Sequence, residues 1–194
     1  THALEAYVAT ARSKFSDPLA MEAISMTFEY LADSFHGDTE ARAQMHIAQC
    51  LAGMAFSNAL LGITHSLAHK IGAQFHIPHG CCNAILLPYV VKFNARACES
   101  RYAAVARNLG LPGATDRQLV NALIGAIRAM NARLGIAASL KEHGVSEADF
   151  TQNVDFIAEH AAQDPCTGCN PRPADAADLK QVLTAAMYGT PVTF

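Results

Sequence analysis

Apolar residues recur along this sequence at intervals of three and four, and nowhere in sustained alternation. That period puts side chains on one face of a helix, whereas alternation would put them on one face of a strand. Residues 2–12 predict a first amphipathic helix, with Leu4, Val8 and Ala11 in register. Ser16-Asp17-Pro18 predicts the start of a second, with Asp17 as its cap and proline in the first turn. Ile24, Phe28 and Leu31 form its stripe, and Gly37 ends it. Asp38 caps a third helix reaching Leu60, with Met45, Ile47, Ala48, Leu51, Met54 and Ala55 facing inward and Gly62 as its stop. Residues 64–75 make a fourth, on Leu67, Ile71 and Phe75. Ile77-Pro78 breaks it, because proline cannot continue a helix and restricts the residue before it. His79-Gly80 opens a buried helix through Asn94, with a kink expected at Pro88.

Further helices are expected over residues 99–108 and 115–134, the second striped by Leu119, Leu123, Ile127 and Met130 and ended by Gly135. A short turn near 139–142 precedes Ser146, which with Asp149 resembles a capping box for residues 147–162. Residues 164–173 hold three prolines and read as an irregular loop, followed by a last helix over 174–188. With short connections and no repeat, the fold class is all-α, a multi-helix bundle in a single domain over residues 1–194.

Composition narrows the picture. A chain of 194 residues, 51% hydrophobic, can bury one sizeable core. A net charge of −3 without a basic stripe speaks against nucleic acid as a partner. Every apolar run is interrupted before the ~18 positions a membrane span needs, so no membrane association and a cytoplasmic protein are expected. Six cysteines in a chain without secretory character read as reduced thiols. The sequence starts at Thr1-His2 in mid-register, with no cap upstream, and a fragment of a longer protein is expected.

The chemistry concentrates between Gly62 and Ala95, where four of the nine histidines lie: His65, His69, His76 and His79. Helical spacing stacks His65 over His69 as a candidate metal pair, with His79 or His76 as a third ligand. Such a pair alone is commonly a surface or core feature; the clustering gives it weight. His79 opens a helix, where the dipole disfavours the imidazolium and leaves the neutral ring a metal requires. Cys166-Thr167-Gly168-Cys169 is a CxxC without a second pair or a βαβ setting, and reads as incidental. Cys81 and Cys82 read as packing residues, His36, His143 and His160 as solvated residues near helix ends, and Met21, Met26, Met45, Met54 and Met130 as core.

Longer motifs carry a resemblance: Gly53-Met54-Ala55-Phe56-Ser57-Asn58, Gly62-Ile63-Thr64-His65 through His69, Ile77-Pro78-His79-Gly80 through Pro88, and Cys166 through Arg172. Together with Thr1–Tyr7 they resemble the iron-containing (group III) alcohol dehydrogenase family over essentially the whole chain, in its C-terminal helical domain alone. The resemblance implies the helical half of a dehydroquinate-synthase-like fold, and a parent NAD(P)-dependent enzyme acting on short-chain alcohols, diols or aldehydes. A Rossmann-like N-terminal domain would bind NAD(P), with Fe²⁺ or Zn²⁺ in the cleft between domains. It implies His2, His65 and His79 as metal ligands, with an aspartate one helical turn before His2 that lies outside this sequence. Without it, three imidazoles would suit Zn²⁺ or Ni²⁺ better than Fe²⁺.

The resemblance also recasts His69 as a catalytic residue beside nicotinamide and substrate, and places Phe56, Asn58 and Cys166 on the substrate side. The isolated chain is expected to be inactive and, through an exposed apolar face, to form a homodimer or higher homo-oligomer. A glycerol-dehydrogenase-like zinc enzyme, a free-standing helical metal-binding module and an inert helical interaction domain are the alternatives.

Overall fold

The computed structural model describes all residues from Thr1 to Phe194 and contains helices and no strand. The helices are α1 (His2–Val8), α2 (Ser16–Phe35), α3 (Thr39–Ala59), α4 (Ile63–Phe75), α5 (His79–Asn108), α6 (Asp116–Arg133), α7 (Leu140–His143), α8 (Glu147–Ala162) and α9 (Ala176–Tyr188). One turn of 3₁₀ helix, Thr167–Cys169, interrupts the proline-rich loop. No single helix is long and apolar enough to cross a membrane.

Local capping signals set most of the boundaries. Asp38 accepts the Ala41 N–H, Thr115 and Gln118 form a reciprocal capping box, and Asp175 and Asp178 form another. Ser146 accepts the Asp149 N–H at 3.1 Å, but the Asp149 carboxylate returns to the Ser146 hydroxyl, at 2.7 Å, so the expected box is only half made. Asp17 is not the cap of α2. Ser13 and Ser16 exchange backbone-to-hydroxyl hydrogen bonds at 2.8 and 3.2 Å, while Asp17 instead pairs with Arg101 at 2.9 Å. Gly62 does not stop α3 either: that helix ends at Ala59, Leu60 takes φ 64°, and Gly62 opens α4.

The core divides into two clusters, and α5 runs through both. Ile85, Leu86, Val90 and Phe93 face α4, α7, α8 and α9, whereas Leu87, Val91, Tyr102 and Val105 face α1, α2, α3 and α6. Residues expected as two helices form one run, broken at Cys98 (φ −141°, ψ 38°) rather than at Pro88. Pro88 cannot donate to the carbonyl of Ala84. The Asn131 side chain of α6 donates to that carbonyl instead, at 2.7 Å, so the proline sits inside the helix without an orphaned acceptor. Ile47 and Met54, expected in the core, are half exposed on the outer face of α3. Met21, Met26 and Met130 are only partly buried.

Candidate metal centre

Three chain segments bring four imidazoles to one place. His2 opens α1, His65 and His69 lie one turn apart on α4, and His79 opens α5. The His2 and His65 rings stack at 4.5 Å between centroids, His65 and His79 lie 5.3 Å apart, and His69 stacks on His79 at 5.4 Å. His2, His65, His79 and Asn83 line a cleft of about 430 Å³ whose opposite wall is apolar, with Phe28, Leu31 and Ile127 from α2 and α6. His76 is not among them. It closes α4 in the left-handed conformation, φ 55°, and lines a different pocket with His143.

A charged residue organises the buried side of this cluster. Every residue of α1 after His2 is buried, Glu5 included, and a buried carboxylate needs partners. Its Oε1 accepts the Thr64 N–H at 2.7 Å and its Oε2 faces His65 Nδ1 at 2.6 Å. Burial pushes the Glu5 pKa up, but the hydrogen bonds from His65 and Thr64 outweigh it and hold the group below its ordinary value. A carboxylate accepts, so His65 donates from Nδ1. Its Nε2 is then buried with no partner.

The other rings are suited to donating lone pairs. Burial lowers the His2 pKa to about 4. Burial lowers that of His79 as well. Both are therefore neutral at pH 7. The donor chemistry fits a divalent metal, and the unpartnered His65 Nε2 backed by a carboxylate is the arrangement a metal-binding histidine normally has. The side chains are not yet a closed ligand set: the rings meet largely face to face, and no three donors are in ligating position. The Asn83 amide donates to His79 Nε2 at 2.9 Å, leaving its own Oδ1 buried without a partner. A cation at His79 Nε2 would displace that amide.

On the exposed side, His69 Nδ1 and Lys70 Nζ each lie 3.1 Å from Asp164 Oδ2, and the Cys166 N–H donates to Asp164 Oδ1 at 3.1 Å. Burial would raise the Asp164 pKa, but these three partners bring it down to about 2.

The sequence profile of the Fe-containing alcohol dehydrogenase family, C-terminal, matches residues 1–187. The chain belongs to that family. It is 55% identical to the NADPH-dependent butanol dehydrogenase of Clostridium saccharobutylicum over 194 residues, 100% of this chain and 50% of that protein. It is 42% identical to 1-propanol dehydrogenase PduQ of Salmonella typhimurium, covering 94% of this chain and 51% of that one. Among solved structures, a 1,3-propanediol oxidoreductase superposes with a TM-score of 0.90 at 32% identity, over 96% of this chain and 49% of that chain. The chain thus spans about half the length of these relatives.

In this member of the Fe-containing alcohol dehydrogenase family, the motifs that suggested the family converge on the cleft only in part. Phe56 stacks on His2 at 4.6 Å. Cys166 sits beside Asp164, and burial followed by that carboxylate's charge pushes its thiol up to about 12, so it stays protonated at neutral pH. Asn58 is not brought to the cluster: it is exposed, and its amide donates to Met54 O at 2.8 Å on its own helix. The sequence reasoning missed Glu5, Asn83 and Asp164. Glu5 could have been found, since it lies one helical turn from His2 in an otherwise apolar segment.

Proposed function

We propose that this chain is the metal-binding, substrate-facing part of an NAD(P)-dependent alcohol dehydrogenase that interconverts short-chain alcohols or diols and aldehydes. The observation that carries this reading is the buried, unpartnered His65 Nε2 among His2, His79 and His69, in a cleft with one apolar wall. His2, His65 and His79 would hold Fe²⁺ or Zn²⁺; the all-imidazole donor set favours Zn²⁺, and the family's name favours iron. Bound there, the metal supplies Lewis-acid polarisation of the substrate oxygen, and a nicotinamide gives or takes the hydride.

The chain's own residues do the remaining work. Asp164 holds the His69 Nδ1 proton, which leaves Nε2 as the free acceptor at the cleft's edge, where substrate and nicotinamide would meet. Phe28, Leu31 and Ile127 exclude water from the alcohol's carbon chain. Phe56, stacked on His2, and Cys166, beside the Asp164 that holds His69, flank the histidine cluster, and the cleft of about 430 Å³ is of a size suited to the small alcohols for which the relatives are named. Without a strand, the chain offers no Gly-rich turn after a strand to take a pyrophosphate, so we assign the dinucleotide to a separate domain. We further infer a cytoplasmic protein, and a homo-oligomer whose association is supported by exposed Phe15, Ile47 and Met54.

The test joins this chain to the nucleotide-binding half of the Clostridium relative and follows butanal-dependent NADPH oxidation with Fe²⁺ or Zn²⁺. Turnover that His65→Ala reduces at least about 100-fold is expected, because one ligand fewer both weakens and misplaces the metal. The unjoined chain should show none. A folded, metal-loaded chimera without turnover would sink the reading.

A further inference from the structure

We propose that Glu5 is a positioning residue: it fixes His65 as the Nδ1–H tautomer and turns the Nε2 lone pair into the cleft. What that lone pair receives rests on the metal reading above; the fixing itself does not.

The carboxylate has two acceptor oxygens for two donors, the Thr64 N–H at 2.7 Å and His65 Nδ1 at 2.6 Å. Both belong to the first turn of α4, so one side chain of α1 sets the rotation of that turn and of the ring it carries. The carboxylate is itself immobilised. The guanidinium of Arg101 lies 3.8 Å from the centre of the Tyr7 ring and donates to Tyr7 O at 2.9 Å, which pins α1. On the other flank Gly62 packs so closely that a Cβ there would lie 3.0 Å from Glu5 Oε1 and 2.8 Å from Asn170 Oδ1. With Nδ1 occupied by its proton and the carboxylate, the second nitrogen has no protein partner. An orphaned N–H in that buried position would cost more than an orphaned lone pair, so the environment selects the tautomer a metal can use.

Glutamine at position 5 cannot reproduce this, because it has one acceptor. If its oxygen faces Thr64, its amide donates to Nδ1 and moves the His65 proton to Nε2. If its oxygen faces Nδ1, donor opposes donor at the Thr64 N–H.

Long-range ¹H–¹⁵N spectra of the metal-free 194-residue chain at pH 8 read the tautomer directly. We expect Nδ1–H with unprotonated Nε2 in the wild type, a swapped or mixed tautomer in Glu5→Gln, and no change in Val182→Ala, a buried site in α9. Calorimetry with Zn²⁺ alone should show the binding that His65→Ala removes weakened about 10–100-fold in Glu5→Gln. An Nε2–H tautomer in the wild type, or a folded Glu5→Gln that keeps Nδ1–H, overturns the proposal. Should Glu5→Gln fail to fold, the wild-type spectrum decides alone. Should the wild type bind no Zn²⁺ through His65, the metal reading falls while the tautomer still judges Glu5.

Discussion

Asp164 Oδ2 lies 3.1 Å from His69 Nδ1 although 95 residues separate them, and the same oxygen takes Lys70 Nζ. The loop between α8 and α9 is thereby tied to the exposed end of the histidine cluster. Asp164→Asn should release it. The folded carboxyl titrates at about 2 against an ordinary 3.8, so the unfolded chain takes up its proton first as pH falls. The stabilisation is complete above pH 3.8 and is lost as pH drops towards 2. After allowance for the solvent that reaches His69 and Lys70, it is about 1 kcal/mol. Urea unfolding at pH 7 should show that deficit in Asp164→Asn, and the two proteins should converge near pH 2.

His2 gives a second pH window. Its pKa falls from 6.5 to about 4 on folding, because burial disfavours the cation. Between those values the unfolded chain carries the extra proton, so stability is full above pH 6.5 and declines as pH falls to 4. Melting curves of the metal-free chain should show that slope, and His2→Phe, which retains a ring against Phe56, should flatten it.

At Gly62 the backbone, φ −145°, suits any residue, so the obstacle to alanine is steric alone. The new methyl would meet the pinned Glu5 and Asn170 oxygens. Gly62→Ala is expected to cost about 2 kcal/mol by urea unfolding, as overpacking at a fixed site does. It should also disturb the His65 ring resonances, whereas Gly53→Ala, with open space around its Cβ, should not.

The α5 helix tolerates Pro88 because Asn131 covers the Ala84 carbonyl. Asn131→Ala should therefore cost about 1–2 kcal/mol, the penalty of a buried acceptor without a donor. In a Pro88→Ala background the same change should cost clearly less, since the backbone N–H restored at that position could close the helical bond itself. Equal costs in the two backgrounds, measured as a double-mutant cycle, would show that the proline and the asparagine are uncoupled.

Metal addition is the simplest measurement on the site. Zn²⁺ at about 100 times its Kd should stabilise the chain by about 2.7 kcal/mol and raise its melting temperature, an increment that a chelator removes. The variants His65→Ala and His79→Ala should lose most of it. A His76→Ala variant should keep it, because His76 closes α4 away from the cluster.

Much of this architecture is written locally. Caps at Asp38, Thr115, Ser139 and Ser146, and left-handed glycines at 37, 135 and 144, act within one helical turn, and the three–four period marks each apolar face. The ordered motifs around His65, His69 and His79 likewise pointed to the family to which the chain belongs. What local periodicity cannot contain is how helices distant in sequence cross. Glu5 and His65 are 60 residues apart, Ala84 and Asn131 are 47, and each pair meets because packing of apolar faces fixes an angle and an offset. The same packing leaves Ile47 and Met54 on the solvent side of α3 despite their spacing, and moves the break in α5 from Pro88 to Cys98. The sequence by itself therefore determined where most of the helices lie and which histidines are candidate ligands. Only the tertiary structure decided which nitrogen of His65 is free, because that depends on a carboxylate delivered from another helix.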